Sequence, residues 1–141
     1  FTDNIRAACL PYHLRHANFE GETLTVVGWG KFSNDPEIVR LTSPIPRKGR
    51  VPVVPLRECQ SKYGSTHTLD GTQLCAGTGG TDSCRGDSGG PLNYLDPKKQ
   101  RFYLVGLVSF GPRVCGINSR PGVYTRIGFF LDWIEDNIRQ L

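Results

Sequence analysis

The sequence lacks any long hydrophobic run. No apolar stretch approaches the roughly 20 residues of a membrane-spanning helix, so we expect no contact with a membrane. The first residues, Phe1 to Arg6, also lack the apolar core of a signal peptide. Any export signal is therefore expected upstream of this segment.

Charge of one sign is also scarce. The net charge is only +4, and the basic residues are scattered apart from Arg47, Lys48 and Arg50 and the pair Lys98 and Lys99. A solvated loop explains such small clusters. Because there is neither an aromatic-interleaved basic stripe nor zinc-finger spacing, nucleic acid is not an expected partner.

The cysteines form no CxxC pair and no Cys/His spacing that suits a structural zinc site. We therefore expect no metal and no other cofactor, and we interpret the cysteines as disulfide partners. Their odd number leaves one of them either as a free thiol or bonded to another polypeptide. They are Cys9, Cys59, Cys75, Cys84 and Cys115.

Glycine and proline are abundant, with 17 and 10 residues, which indicates a folded, turn-rich chain. Short apolar runs alternate with turn residues, a pattern that predicts an all-β barrel or sandwich. The runs are Leu24 to Val27, Val51 to Val54, Phe102 to Ser109 and Val123 to Thr125.

The end of the chain differs, because its apolar residues recur at helical spacing. This spacing predicts a C-terminal amphipathic helix, which we expect to pack on the barrel. The residues concerned are Phe129, Phe130, Trp133, Ile134, Ile138 and Leu141.

The segment Thr81 to Pro91 carries the chemistry. Ser88 stands among glycines, where the backbone can turn tightly and expose a hydroxyl together with neighbouring N–H groups. The eleven residues from Thr81 to Pro91 resemble the nucleophile loop of chymotrypsin-like serine proteases. Gly28-Trp29-Gly30 and Pro121 to Thr125 match other motifs of that family in the right order.

This resemblance implies a fold and a place in it. The chain would be the second six-stranded antiparallel β-barrel of the trypsin-like two-barrel fold, with a C-terminal α-helix. Residues 1–141 would form the C-terminal part of the protease domain, while the first barrel, with the catalytic His and Asp, would lie outside this sequence.

The resemblance also assigns the reacting groups. Ser88 would be the nucleophile of an acyl-enzyme mechanism, and the N–H groups of Gly86 and Ser88 would form the oxyanion hole. Asp87 would pair with the amino terminus that is released when a zymogen is cleaved.

Specificity is implied by neighbouring positions. Asp82 would form the floor of a pocket for Arg or Lys, and the Ser83 hydroxyl would help to accommodate Lys. Gly111 and Gly122 would leave the pocket open. The segment Ser109-Phe110-Gly111 resembles the strand that pairs with the substrate backbone, with Phe110 where trypsins usually carry Trp.

No histidine is assigned as the base. His13, His16 and His67 do not lie in the family's Ala-Ala-His-Cys context. Serine attack requires a base. We therefore expect the chain by itself to be inactive.

The cysteines fit the same resemblance, which implies the pairs Cys59–Cys75 and Cys84–Cys115. It also implies that Cys9 bonds to a segment outside this sequence, such as a cleaved prodomain. The pattern resembles arthropod clip-domain proteases of the easter or prophenoloxidase-activating type.

The expected function is a secreted, extracellular, zymogen-derived endopeptidase. Its expected partners are protein substrates with Arg or Lys at the cleavage site, among them a downstream zymogen, and a serpin-type inhibitor. One alternative is a noncatalytic protease homologue that acts as a binding or cofactor module. A remote one is a disulfide-stapled β domain with a chance motif.

Overall fold

A closed barrel of six antiparallel strands forms the centre of the chain, in the order β1-β2-β3-β6-β5-β4. The computed structural model describes residues 2–35, 37–38, 42–117 and 120–140, so Phe1 and Leu141 of the sequence predictions lie outside it. The predicted all-β fold, a six-stranded antiparallel barrel, is confirmed. The strands are β1 (Thr23–Gly28), β2 (Arg47–Val54), β3 (Gln73–Ala76), β4 (Pro91–Asp96), β5 (Arg101–Phe110) and β6 (Gly122–Arg126).

Side chains that alternate along the strands fill the barrel. Leu24 and Val26 of β1 are buried, whereas Thr25 between them is half-buried. Tyr124 of β6 is 0% exposed and belongs to the same core cluster. Each such apolar side chain contributes about 1.5–3 kcal/mol on burial. This core fixes the strand ends from which the functional loops extend.

Three elements were not predicted from the sequence: β3, β4 and the helix α1 (Leu56–Tyr63). The helix begins after Pro55 and buries Cys59 and Tyr63. A disulfide between Cys59 and Cys75 ties it to β3. It therefore packs firmly beside the barrel.

The predicted C-terminal helix is confirmed as α2 (Leu131–Ile138). Its expected packing on the barrel is only partly right, because the buried contact is Leu131, while Trp133 and Ile138 are 65% and 58% exposed. The helix is thus buried only at its first residue, Leu131, and exposes the apolar side chains of Trp133 and Ile138. Within the described residues, no helix is long and apolar enough to span a membrane.

The segment before β1 lies against the barrel. The N–H of Leu104 donates to the carbonyl of Cys9 at 2.9 Å, and the Arg126 guanidinium donates to the carbonyls of Arg15 and Ala17 at 3.2 and 3.1 Å. Cys9 is half-buried and has no disulfide partner among the described residues.

Candidate active site

The loop between β3 and β4 carries Ser88 in a fixed conformation. The N–H of Asp87 donates to the Cys84 carbonyl at 3.0 Å, which closes a turn in which Gly86 has φ +94°. Side chains rarely adopt this backbone conformation, so glycine is required there. The N–H of Gly89 then donates to the carbonyl of Val108 at 2.9 Å. The loop is thereby anchored to β5.

The backbone around the serine has the features of an anion site. Ser88 and Gly86 are both exposed. Within the described part of the chain, neither of their N–H groups donates a hydrogen bond to another residue. Most backbone N–H groups in a fold are paired. Two unpaired ones beside a serine hydroxyl can stabilise a developing oxyanion.

Asp87 points away from Ser88, into the protein. Its Oδ1 accepts from the N–H of Gly30 at 2.7 Å, and its Oδ2 accepts from the N–H of Cys84 at 2.9 Å. A Cβ at Gly28 would come 2.0 Å from Oδ1, and one at Gly30 would come 2.5 Å from the carboxyl carbon. The Gly28-Trp29-Gly30 motif therefore exists to admit this carboxylate.

Asp82 is half-buried, and only one of its carboxylate oxygens has a hydrogen-bond partner among the described residues. Its Oδ2 accepts from the N–H of Gly116 at 3.1 Å, whereas the buried Oδ1 has no hydrogen-bond partner among the described residues. Burial raises the pKa of Asp82, although the N–H groups of Gly116 and Ser83 oppose that shift. A Cβ at Gly122 would lie 3.0 Å from Oδ1, so this oxygen faces a position without a side chain.

The predicted residues are divided between two neighbouring cavities. Ser83, Ser88, Ser109, Phe110 and Gly111 line one cavity of about 230 Å³. Asp82 and Asp87 line another of about 250 Å³.

Both cavities border the same disulfide, Cys84–Cys115. This disulfide and Cys59–Cys75 are the two pairings that the resemblance implies, and the structure contains both. Gly122 is buried and lines neither cavity, but it is close to residues of both. A Cβ on Gly111 would come 3.6 Å from the Gly122 Cα, and Gly122 faces Oδ1 of Asp82. Gly122 thus lies between Gly111, which lines the cavity of Ser88, and the unsatisfied oxygen of Asp82.

The strand beside Ser88 is bulged. Val108 pairs with Tyr124 and Phe110 pairs with Val123, which leaves Ser109 outside the regular register. Bulges re-aim side chains and interrupt pairing near active sites. Ser109 and Gly111 are both exposed here, so this end of β5 is open to an extended peptide.

A comparison with known families settles which group of proteins this site belongs to. The family model for trypsin matches residues 1–134. The chain belongs to the trypsin family.

Several relatives of this trypsin-family chain are arthropod proteins. It is 45% identical to serine protease ea of Drosophila melanogaster, over 98% of this chain and 36% of that protein. It is 44% identical to phenoloxidase-activating factor 1 of Holotrichia diomphalia, over 99% and 36%. It is 42% identical to CLIP domain-containing serine protease HP8 of Bombyx mori, over 99% and 38%. The chain therefore spans less than two-fifths of the length of these relatives.

Two tyrosines support the site of this trypsin-family chain and were missed by sequence analysis. The Tyr124 hydroxyl donates to the Ser83 Oγ at 3.2 Å, and burial raises the pKa of Tyr124 to about 12, so the donor stays protonated. The Tyr63 hydroxyl donates to the Pro121 carbonyl at 2.6 Å and so fixes the strand end before Gly122. The motif Pro121 to Thr125 contained the signal for Tyr124; nothing comparable marked Tyr63.

The hydrogen bonds and ring contacts of the histidines involve residues other than the nucleophile. Within the described residues, none of them hydrogen-bonds to Ser88. The His67 ring instead stacks on Phe110, with 4.8 Å between centroids and 24° between planes. The described residues also contain no group of three or more His, Cys, Asp or Glu that could hold a metal ion.

Proposed function

We propose that the full-length protein is a secreted trypsin-like serine endopeptidase that cleaves protein substrates after Arg or Lys. The observation that carries this proposal is the buried Oδ1 of Asp82, which has no partner among the described residues and faces Gly122. A long cationic side chain would satisfy this oxygen with a charge-assisted hydrogen bond. An apolar side chain would leave it unpaired, at a large cost in transition-state binding.

The reaction follows from the groups around Ser88. Its Oγ attacks the peptide carbonyl carbon while a base takes its proton, and the N–H groups of Gly86 and Ser88 hold the resulting oxyanion. The C–N bond breaks as the base returns the proton to the leaving amine, which leaves an ester on Ser88. Water then hydrolyses the ester and restores the serine.

The base is assigned to sequence outside this chain, in a first barrel that would supply His and Asp. The support for this assignment is that, in the part of the chain described here, no histidine hydrogen-bonds to Ser88. Residues 1–141 would accordingly be the C-terminal part of the protease domain and inactive alone. The partial coverage of the relatives agrees with a longer protein.

Activation would act through Asp87. Its carboxylate lines the cavity of about 250 Å³ and accepts hydrogen bonds from two neutral N–H groups. Because neither donor carries a charge, the carboxylate can still pair with a cation. We assign this cation to a new amino terminus released by cleavage of a zymogen. An ion pair there would hold the turn that presents Gly86 and Ser88.

The name of one relative supports a protein substrate. The name of phenoloxidase-activating factor 1 says that this relative activates another protein, a phenoloxidase. A downstream zymogen is the proposed substrate, and a serpin-type protein is the proposed inhibitor. Cys9 would bond to a prodomain segment and keep it attached after cleavage.

Labelling of the full-length, activated protein with a fluorophosphonate probe tests this function. The probe should modify Ser88, and the same preparation should hydrolyse peptides after Arg. Ser88→Ala should lose both signals. Ser61→Ala is the control, because the Ser61 hydroxyl only donates a hydrogen bond to the Glu58 carbonyl on α1. This variant should keep both labelling and hydrolysis. Absence of labelling and hydrolysis in the activated protein would favour the noncatalytic homologue.

A further inference from the structure

Two arginines line the cavity that contains Ser88. Arg85 lies in the turn of the nucleophile loop, and Arg113 lies in the connection between β5 and β6. Every other residue in this lining is uncharged. The wall beside the reactive serine therefore carries two positive charges and no negative one.

The fold holds these arginines together. Arg85 directly follows Cys84, and Arg113 comes two residues before Cys115, while the Cα atoms of this disulfide pair are 5.7 Å apart. The Arg85 carbonyl also accepts from the N–H of Lys31 at 2.8 Å. The two arginines are thus close in sequence to the two cysteines of one disulfide, which limits how far their backbones can separate.

Neither arginine has an ion-pair partner among the described residues. Arg85 and Arg113 are exposed, and the ion pairs among the described residues use other cations. A guanidinium binds a carboxylate through two parallel hydrogen bonds, more specifically than lysine does. Screening limits such attraction to roughly 8 Å at physiological salt, so these arginines act only on groups that enter the cleft.

We propose that Arg85 and Arg113 form a cationic rim that binds a Glu or Asp side chain of the substrate near the cleaved bond. This inference rests on the proposed function, in which Ser88 meets the substrate in the same cavity. Since an extended peptide advances about 3.3 Å per residue, a side chain within a few positions of the cleaved bond reaches the rim. The preferred site then combines Arg or Lys at the cut with an acidic neighbour.

Paired peptides test the rim in the full-length, activated protein. All carry Arg before the cleaved bond, and each pair differs only by Glu or Gln at one nearby position. At one of these positions, kcat/KM should favour Glu by roughly tenfold at low salt, and added salt should reduce the ratio. Arg85→Gln combined with Arg113→Gln should bring the ratio to about one, while Arg113→Glu should favour Lys there. Arg101→Gln, at the far end of β5, should keep the Glu preference.

The outcomes separate this inference from the proposed function. A Glu/Gln ratio near one at every position, or a ratio that survives the double substitution, would overturn the rim even if cleavage after Arg is intact. If the rim binds a sulfated polysaccharide instead of the substrate, the Glu/Gln ratio of kcat/KM will likewise be near one, and the proposal is overturned. If the protein cleaves nothing, the proposed function fails, and the rim is tested by the affinity of the Ser88→Ala variant for the same peptide pairs.

Discussion

The carboxylates of Asp96, at the end of a barrel strand, and Asp82, in a loop, differ in whether their oxygens have hydrogen-bond partners. Asp96, at the end of β4, is 7% exposed and has both oxygens occupied. Its Oδ1 accepts from the N–H groups of Lys98 and Lys99 at 2.9 and 3.1 Å, and its Oδ2 lies 3.2 Å from the His13 Nε2. These contacts, led by the hydrogen bond with His13, lower the pKa of Asp96. This carboxylate stabilises the hairpin and the segment before β1.

Asp82 in the nucleophile loop is arranged differently. Its Oδ1 has no partner in the described part of the chain, and burial raises its pKa. Such a group costs the fold stability rather than contributing to it. The difference agrees with the proposal that Asp82 binds the substrate cation, whereas the contacts of Asp96 stabilise the fold.

Asp87 gives the sharpest challenge to this comparison. Both of its oxygens have hydrogen-bond partners, as those of Asp96 do, but it lines a cavity, as Asp82 does. We expect Asp87→Asn in the full-length protein to lower kcat/KM by about a thousandfold, because loss of one oxyanion donor alone costs 10²–10³. Asp96→Asn should leave kcat/KM nearly unchanged. Similar activities for the two variants would show that Asp87 is purely structural.

Gly122 sharpens the case for Asp82 with a smaller effect. A methyl group there would lie 3.0 Å from Oδ1 and would crowd the approach of a cation. We expect Gly122→Ala to lower kcat/KM for Arg peptides by about tenfold to a hundredfold. Gly71→Ala is the matched control, since a Cβ there meets nothing within 4 Å. An equal loss in both variants would contradict the pocket.

The two carboxylates also predict opposite pH effects on stability. The folded pKa of Asp96 lies below its unfolded value of about 3.9, so its contribution exists above that pH and is lost on acidification. The folded pKa of Asp82 lies above that value, so stability falls as pH rises through the folded pKa.

Thermal unfolding of the full-length protein checks these signs. Near pH 7, Asp82→Asn should raise the Tm by on the order of a few degrees, and Asp96→Asn should lower it. Both differences should shrink towards about pH 3, where both carboxyls are protonated in the unfolded chain. A Tm shift of the same sign for both variants would refute the contrast.

Much of the fold could be predicted from local pattern. The runs beginning at Leu24, Val51, Phe102 and Val123 correspond to strands β1, β2, β5 and β6. Strand β3 has only four residues, three of them buried, so it shows no alternation. In helix α1, Leu56, Cys59 and Tyr63 do stand at helical spacing, but the helix has only eight residues, shorter than the window in which such periodicity is diagnostic.

The site was found through its motifs, but its contacts could not be. Gly28 and Gly30 stand out in the sequence as part of a family motif, but the contact that requires them is with Asp87, more than fifty positions later. Likewise, nothing local indicates that Arg85 and Arg113 line the same cavity beside one disulfide. Long-range contacts of this kind require the folded chain.

The most direct test of the central claim is the preference for Arg over Leu before the cleaved bond, measured as a kcat/KM ratio. In the full-length, activated protein this ratio should be at least about 10³, and Asp82→Ser should reduce it to near one while Asp96→Asn leaves it intact. An undiminished preference for Arg in Asp82→Ser would contradict the assignment of Asp82 as the residue that selects the substrate.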